Sequence, residues 1–304
     1  MEDNPPIHLL PDWTRKLTKT FRGGRKRYRH MKDESHSCAT ASLRDESADI
    51  QRLARAAIAV LAAYGSGGSR GAIRRLEEFI AAVISSDEGL RHEVVLHLRQ
   101  SGVPVDDIID LVIPAVARVL GDRWANDINT FLDVTIGTAR LQEAVRELGW
   151  HDRARQRIPA DAPVILMIIP RGEEHTLGAF ILADQWRRLG VWVDLAIHHS
   201  PREIAAILRK GRHDMVAITA AGRGTLAPVR ELVEITRRTA AQATPIVMGG
   251  AILDRDMDVL AATGADHVAA SARSALNACG LIHSGREAPP RKSTGQVGAR
   301  HDRQ

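Results

Sequence analysis

Residues 163–178 read PVILMIIPRGEEHTLG, and this stretch decides the fold. Its six consecutive apolar residues, Val164 to Ile169, are typical of a strand that is buried on both faces. Before Pro163 the apolar residues recur at helical spacing instead, so the period changes at this point. The chain therefore divides into a helical block and a segment built on strands.

Four more short apolar runs follow the first strand, at 191–197, 215–219, 246–248 and 268–270. Helical stretches separate them, at 177–189, 203–208, 229–240, 257–262 and 274–279. Five strands that alternate with helices predict a parallel sheet covered by helices on both faces. Residues 159–283 are therefore predicted to form a flavodoxin-like (Rossmann-type) α/β domain with a five-stranded parallel sheet.

Residues 46–158 are predicted to form an all-α helical-bundle cap before this domain. Apolar residues recur at helical spacing in successive runs, and the connections between the runs are short, as in a bundle. Pro114 lies inside one run and predicts a kink there, because proline removes a backbone donor and its ring clashes with the preceding turn.

The 304 residues carry a net charge of +5 that is unevenly distributed. Residues 1–45 carry +4 and residues 284–304 carry +3, so residues 46–283 carry −2. The two ends are predicted to be disordered tails, the first of them basic. A nearly neutral folded body argues against a basic nucleic-acid groove on it.

Composition excludes several classes of protein. Two cysteines exclude a disulfide framework and a cysteine-rich metal site. No run reaches the ~18 apolar residues of a membrane span. The first residues, MEDNPPIHLL, lack the order of a signal peptide, so the expected location is the cytoplasm. No Ser/His/Asp, Cys/His or paired-carboxylate arrangement is evident, and the chain is predicted not to be an enzyme.

The loops that follow the strands are where a ligand is expected in an open α/β sheet. The first loop offers His175, with Glu173 two residues before it, whereas the later loops are small and rich in glycine. An imidazole whose other nitrogen is held by a carboxylate is a strong metal ligand. The alternatives are a helix-start role for His175 and a plain strand-to-helix turn at Gly249-Gly250. The other histidines of this segment, His198, His199, His213 and His267, are expected to be structural or surface residues without paired partners.

Three sequence elements, each just after a predicted strand, resemble the D-x-H-x-x-G … S-x-L … G-G pattern of cobalamin-binding domains. They are Glu173-x-His175-x-x-Gly178, Thr219-x-Ala221 and Gly249-Gly250. The resemblance covers roughly residues 160–280 and implies that His175 is the lower axial cobalt ligand and Glu173 its partner. It also implies a slot for the nucleotide tail, lined by Gly178, Thr219, Gly249 and Gly250. Glutamate replaces the usual aspartate, and Ala221 replaces leucine.

The stretch from Leu120 to Gln142, L-G-x-x-W-x-x-D-x-x-x-F-x-D-V-T-x-x-x-x-R-L-Q, resembles the AerR/PpaA family. The resemblance implies a cobalamin-binding, light-responsive antirepressor that acts on a CrtJ/PpsR-type repressor of photosynthesis genes.

In related photoreceptors a tryptophan is followed, after nine intervening residues, by a Glu-His pair over the upper corrin face. Here Trp124 is retained and is expected to cover the corrin, but Val134-Thr135 replaces the pair. This change implies a preference for hydroxo- or aquocobalamin over the adenosyl form. An ordinary core tryptophan is the alternative for Trp124.

Two other functions remain open: a corrinoid carrier for a methyltransferase, and a flavodoxin-like module that binds no cobalamin. The histidine motif disfavours the module. The basic run from Arg15 to Lys32, which contains no acidic residue, favours the regulator over the carrier. This run is expected to dock on the repressor, to contact DNA phosphates directly, or simply to be solvated.

Overall fold

The computed structural model describes residues 52–65, 67–153, 158–240 and 244–281. The predictions for the tails, residues 1–45 and 284–304, concern residues outside these ranges. None of the helices in the described ranges is both long and apolar enough to cross a membrane.

Within the described ranges, five helices form the cap. They are α1 (52–63), α2 (Gly68–Ile84), α3 (Glu88–Gln100), α4 and α5 (Phe131–Arg153). Helix α4 is continuous but has three parts: Val105–Asp107, a π-helical turn at Ile108–Val112, and Ile113–Ala125. Buried aliphatic side chains, such as Ile80, Ile109 and Leu141, fill the space between the helices.

The π-helical turn in α4 lies directly before Pro114. The N–H of Ile113 bonds to the carbonyl of Ile108 instead of that of Ile109, which widens the turn by one residue. Pro114 has no N–H to give to Asp110, and its ring would clash with that carbonyl in a regular helix. The sequence predicts a kink at Pro114, and the irregularity that the structure shows there is a π turn.

The second segment is a parallel sheet with the strand order β2-β1-β3-β4-β5. The strands are β1 (Val164–Ile169), β2 (Trp192–Ile197), β3 (Met215–Thr219), β4 (Ile246–Gly249) and β5 (His267–Val268). The helices are α6 (Leu177–Arg188), α7 (Pro201–Lys210), α8 (Leu226–Thr239), α9 (Val259–Thr263) and α10 (Ala272–Ala278). The predicted α/β architecture with a helical cap is confirmed.

Strand β1 is buried on both faces, as its unbroken apolar run predicts. Leu166 and Ile168 point into one hydrophobic cluster, whereas Ile165 and Met167 point into the other. Successive side chains of a strand lie on opposite faces, so a central strand between two helical layers must be apolar at every position.

The cap packs on the α/β segment through helix α6. Leu177 and Ile181 belong to the hydrophobic core of the cap. At the far end of α6, Arg188 forms two hydrogen bonds to Asp110 in the π turn, at 2.6 and 3.0 Å, and one to Asp184 at 2.9 Å. Burial lowers the pKa of Arg188, but the hydrogen bond and charge of Asp110, with the neighbouring carboxylates, hold that pKa above its ordinary value.

Candidate functional site

The loops after β1 and β3 meet at the carboxyl edge of the sheet. From β1 the chain adds β2 on one side, and it then crosses over to add β3 on the other side of β1. The switch point therefore lies between β1 and β3. Such a switch point opens a crevice at the strand ends, where ligands bind in doubly wound folds. The loop from Pro170 to Thr176 lies at this crevice.

His175 presents an open imidazole at this edge. Its Nδ1 lies 2.8 Å from Glu173 Oε1, and since a carboxylate accepts hydrogen bonds, Nδ1 carries the proton and donates. In the neutral imidazole with this tautomer, the other ring nitrogen, Nε2, has the lone pair. The side chain of His175 is 81% exposed, so that lone pair is open to a ligand.

Glu173 is the buried partner that fixes this imidazole. Its side chain is only 3% exposed. Its carboxylate accepts from the His175 N–H at 2.9 Å and, across the switch point, from the Ala221 N–H at 2.6 Å. Burial acts to raise the pKa of Glu173, but the backbone hydrogen bonds from His175 and Ala221 and the imidazole together hold it below its usual value. Glu173 is therefore an anion at neutral pH.

The glycine pair after β4 is required by the packing of the loops. Gly250 has a φ of +96°, and a Cβ there would lie 2.5 Å from the carbonyl oxygen of Ala220 and 2.7 Å from Thr219 Oγ1. A Cβ on Gly249 would lie 3.3 Å from the carbonyl oxygen of Ala269. The structure thus brings Thr219, Gly249 and Gly250 together, and a strand-to-helix turn alone accounts for Gly250.

Gly178 differs from the glycine pair. It lies in the first turn of α6, three residues after His175, and a Cβ there would meet no atom within 4 Å. Nothing in the described protein requires glycine at this position. Open space beside the His175 loop is what a slot for part of a ligand needs.

The cap extends beyond the carboxyl edge of the sheet. Gln142 of α5 donates to Thr176 Oγ1 at 2.5 Å, next to His175, and Arg146 lies over the ring of Phe180 at 5.6 Å. The two helices therefore run in the same direction. Since α5 begins at Phe131, eleven residues before Gln142, it extends about 16 Å past the His175 loop.

The far end of the cap carries exposed apolar side chains, which we call the overhang. Its members are Trp124, Ile128, Phe131 and Leu132. Trp124 is 51% exposed and meets Phe131 edge to face, with 6.3 Å between the ring centroids, so it is not an ordinary core tryptophan. Thr135 donates its hydroxyl to the carbonyl of Phe131, and Val134 packs on the cap core.

The prediction that the other histidines of the α/β segment have no paired partners is wrong for His213, whose Nε2 lies 3.2 Å from Asp194 Oδ2. It is also wrong for His198, at the end of β2. Its Nε2 lies 2.9 Å from the carbonyl oxygen of Glu173. The sequence contains no signal for this contact, because it depends on β2 being the neighbour of β1. Among the described residues, no three histidine, cysteine or acidic side chains are grouped to hold a bare metal ion.

Known proteins resemble both the chain and this site. A family model described as the B12 binding domain matches residues 163–279. The chain is 33% identical over 170 residues to a Rhodobacter capsulatus protein described as the "uncharacterized 20.5 kDa protein in bchF-crtJ intergenic region". That alignment covers 56% of this chain and 88% of the relative. The chain belongs to the AerR/PpaA family. Its B12 binding domain therefore includes Glu173, His175 and the glycine pair.

The fold of this AerR/PpaA member is also found in a solved corrinoid protein. The monomethylamine corrinoid protein of Methanosarcina barkeri superposes with a TM-score of 0.55 at 14% identity. The match covers 69% of this chain and 99% of that one. At this identity the likeness concerns the fold alone, a helical bundle followed by a parallel α/β domain.

Proposed function

We propose that the chain is a cobalamin-binding, light-responsive regulator in which His175 is the lower axial ligand of cobalt. The observation that carries this proposal is the pair formed by His175 and Glu173 at the switch point of the B12 binding domain. The pair leaves one nitrogen lone pair open to a ligand, on a ring that a buried anion orients. Hydrogen bonding to the far nitrogen raises the basicity of a metal-binding imidazole.

The site suits a metal that brings most of its own ligands. A single imidazole does not retain a free ion, and among the described residues no cluster of three ligating side chains is present. A corrin supplies four equatorial nitrogens to its cobalt, so one histidine from the protein completes the lower face. The open space at Gly178 is where the displaced nucleotide tail would pass.

The overhang is the proposed cover of the upper face. Its exposed Trp124 and Phe131 offer apolar surface about 16 Å beyond the His175 loop, room for a flat macrocycle with its axial ligands. Val134 and Thr135 bring no imidazole to this face, which supports a preference for hydroxo- or aquocobalamin over adenosylcobalamin. When bound, an alkylcobalamin would supply a light-sensitive cobalt–carbon bond, and Trp124 and Phe131 of the overhang would cover that face of the corrin.

The proposed partner is a CrtJ/PpsR-type DNA-binding repressor. Two things support this: membership of the AerR/PpaA family, and the place of the R. capsulatus relative in the bchF-crtJ intergenic region. A protein that signals through its ligand must bind its partner more tightly in one liganded state than in the other. Direct contact of the basic run Arg15 to Lys32 with DNA is the rival output, and would weaken steeply as salt rises.

A titration with hydroxocobalamin tests the site. The full chain should give the absorption spectrum of a base-off, histidine-ligated cobalamin. His175→Ala should bind at least about 10-fold more weakly, since it loses the direct bond to the metal. His92→Ala, at an exposed cap position, is the matched control and should bind like the wild type. Equal retention of cobalt by His175→Ala would overturn the assignment.

A capture experiment separates regulator from carrier. Purified repressor should be retained by the full chain more strongly with light-treated cobalamin than with dark adenosylcobalamin. Retention should persist at moderate salt, whereas phosphate contacts would fade. The corrinoid-carrier alternative, supported by the shared fold with the M. barkeri protein, predicts no retention in any liganded state. It predicts instead that a cognate methyltransferase would transfer a methyl group between its substrate and the bound corrinoid.

A further inference from the structure

His198 has an unusual backbone conformation. It directly follows β2, and its φ is +55°. Among the described residues other than glycine, only Asp127 and His198 have positive φ. This region costs energy for a residue with a Cβ, and glycine or asparagine adopts it more readily. A histidine in this conformation calls for contacts that hold it there.

Three contacts join His198 to the segment that follows β1. Its N–H donates to the carbonyl of Ile169 at 2.9 Å. Its own carbonyl accepts from Arg171 Nε at 3.0 Å. Its ring reaches the carbonyl of Glu173 at 2.9 Å, and since a carbonyl only accepts, Nε2 carries the proton and donates. The segment from Ile169 to Glu173 is thus bound at its start, middle and end by one residue.

We propose that His198 is a positioning residue for the cobalt-binding histidine, and this inference rests on the proposed function. Glu173 orients the ring of His175, so the position of Glu173 decides where Nε2 of His175 points. The N–H of Ala221 holds the carboxylate of Glu173, and the ring of His198 holds its backbone carbonyl. Glu173 is therefore fixed at both ends, from β3 on one side and from β2 on the other.

Two substitutions separate the ring contact from the backbone conformation. In His198→Asn the side chain tolerates positive φ but is too short to reach Glu173, so only the ring contact is lost. In His198→Gln the amide nitrogen lies about where Nε2 lies in histidine, so a donor is restored. The neighbouring His199 bonds through Nδ1 to the carbonyl of Ile197, within its own strand. His199→Asn is therefore the matched control.

The first measurement uses the full chain without cobalamin. Amide hydrogen exchange of the peptide that spans 169–176 should be faster in His198→Asn than in the wild type. His198→Gln and His199→Asn should keep the wild-type rate. Equal exchange in His198→Asn and wild type would overturn the proposal, because the loop would then be held without the ring.

The second measurement follows the axial nitrogen. Protein labelled with ¹⁵N and loaded with cob(II)alamin should show doublet splitting from a protein nitrogen in its paramagnetic resonance spectrum. The base of free cobalamin, which carries ¹⁴N, gives triplets. His198→Asn should lose part of the doublet and bind about 10-fold more weakly, and His198→Gln should recover both. Full doublet and affinity in His198→Asn would contradict a positioning role.

The two measurements also distinguish this inference from the proposed function. Absence of the doublet in wild-type protein would refute His175 as the cobalt ligand, and with it the positioning of a cobalt ligand. A wild-type doublet together with an unaffected His198→Asn would refute the inference alone.

Discussion

At the scale of single residues, the charge of Glu173 is the feature with the sharpest consequence. In Glu173→Gln an NH₂ group replaces one carboxylate oxygen and faces an N–H donor, either that of Ala221 or those of His175. The imidazole loses its anionic partner and its fixed orientation. Affinity for hydroxocobalamin should fall about 10-fold, with a smaller histidine-ligated fraction in the absorption spectrum.

The adjacent Glu174 provides the control for that change. It lies on the same loop and is exposed to solvent. Glu174→Gln removes the same charge from the chain without touching the imidazole, so its affinity should match the wild type. A similar loss in both variants would mean that the overall charge of the loop, rather than the orientation of His175, governs binding.

At the scale of elements, the glycines of the strand-end loops divide into two kinds. Gly250→Ala combines a positive φ with a backbone clash and should reduce the free energy of unfolding by at least about 2 kcal/mol. Gly178→Ala meets no neighbour in a helix and should leave apoprotein stability equal or slightly higher. If the open space takes the nucleotide tail, Gly178→Ala should still bind cobalamin more weakly. Urea denaturation and a cobalamin titration of both variants check this.

Asp266, just before β5, links α8 to the start of β4. Its carboxylate accepts from Arg237 at 2.6 and 3.2 Å and from the Ile246 N–H at 2.8 Å. Burial acts to raise the pKa of Asp266, but Arg237 and the Ile246 N–H hold it below the usual 3.8. A lowered pKa in the folded state stabilises the fold above the unfolded-state pKa, and this stabilisation is lost as pH falls through the folded-state pKa.

Asp266→Asn should therefore be less stable than the wild type at pH 7, and the difference should narrow as pH falls below about 4. Asp254→Asn, at an exposed position nearby, is the comparison and should show no such dependence. Urea midpoints measured between pH 3 and pH 7 give the result. A difference that stays constant with pH would assign the effect to something other than the ionised carboxylate.

At the scale of the whole molecule, Arg188 and Asp110 tie the cap to α6 at the end opposite the proposed site. The Arg188 side chain is 17% exposed. Asp110→Asn should therefore lower the free energy of unfolding by about 2 kcal/mol, a value between those of surface and buried ion pairs. Hydrogen exchange should rise in α4 and α6, with the sheet unchanged. Glu78→Gln breaks an exposed pair with Arg74 and should change neither the free energy of unfolding nor the exchange of α4 and α6. Unchanged exchange in α4 and α6 after Asp110→Asn would show that the pair formed by Arg188 and Asp110 does not hold the cap on α6.

The sequence predicts this fold well because its three central strands, β1, β3 and β4, are buried on both faces. Six apolar residues in β1 leave a parallel sheet between helices as the natural arrangement, and the run coincides with the observed strand. The cap helices follow from helical periodicity in the same way. Helical periodicity does not decide between a kink and a π turn before Pro114, since that choice depends on how α4 packs.

The candidate site is only partly predictable. Glu173 and His175 are two residues apart, so their contact is local and visible in the sequence. The hydrogen bonds to Glu173 from Ala221 and His198 depend on which strands are neighbours, which the alternation of strands and helices leaves open. The exposure of Trp124 could not be predicted for another reason. Amphipathic spacing indicates which face of a helix is buried, but not whether the end of the helix extends past its neighbours.

The contact between Gln142 and Thr176 does more than hold the cap against the α/β segment. It fixes the position of α5 along its axis relative to the His175 loop. The eleven residues from Phe131 to Gln142 therefore set the height of the overhang above that loop. Each residue inserted or deleted between them would change that height by about 1.5 Å and turn the overhang by about 100° around the helix axis. We therefore expect an insertion or deletion between Phe131 and Gln142 to weaken binding of the proposed ligand more than a substitution there, because only the former changes the height available beneath the overhang.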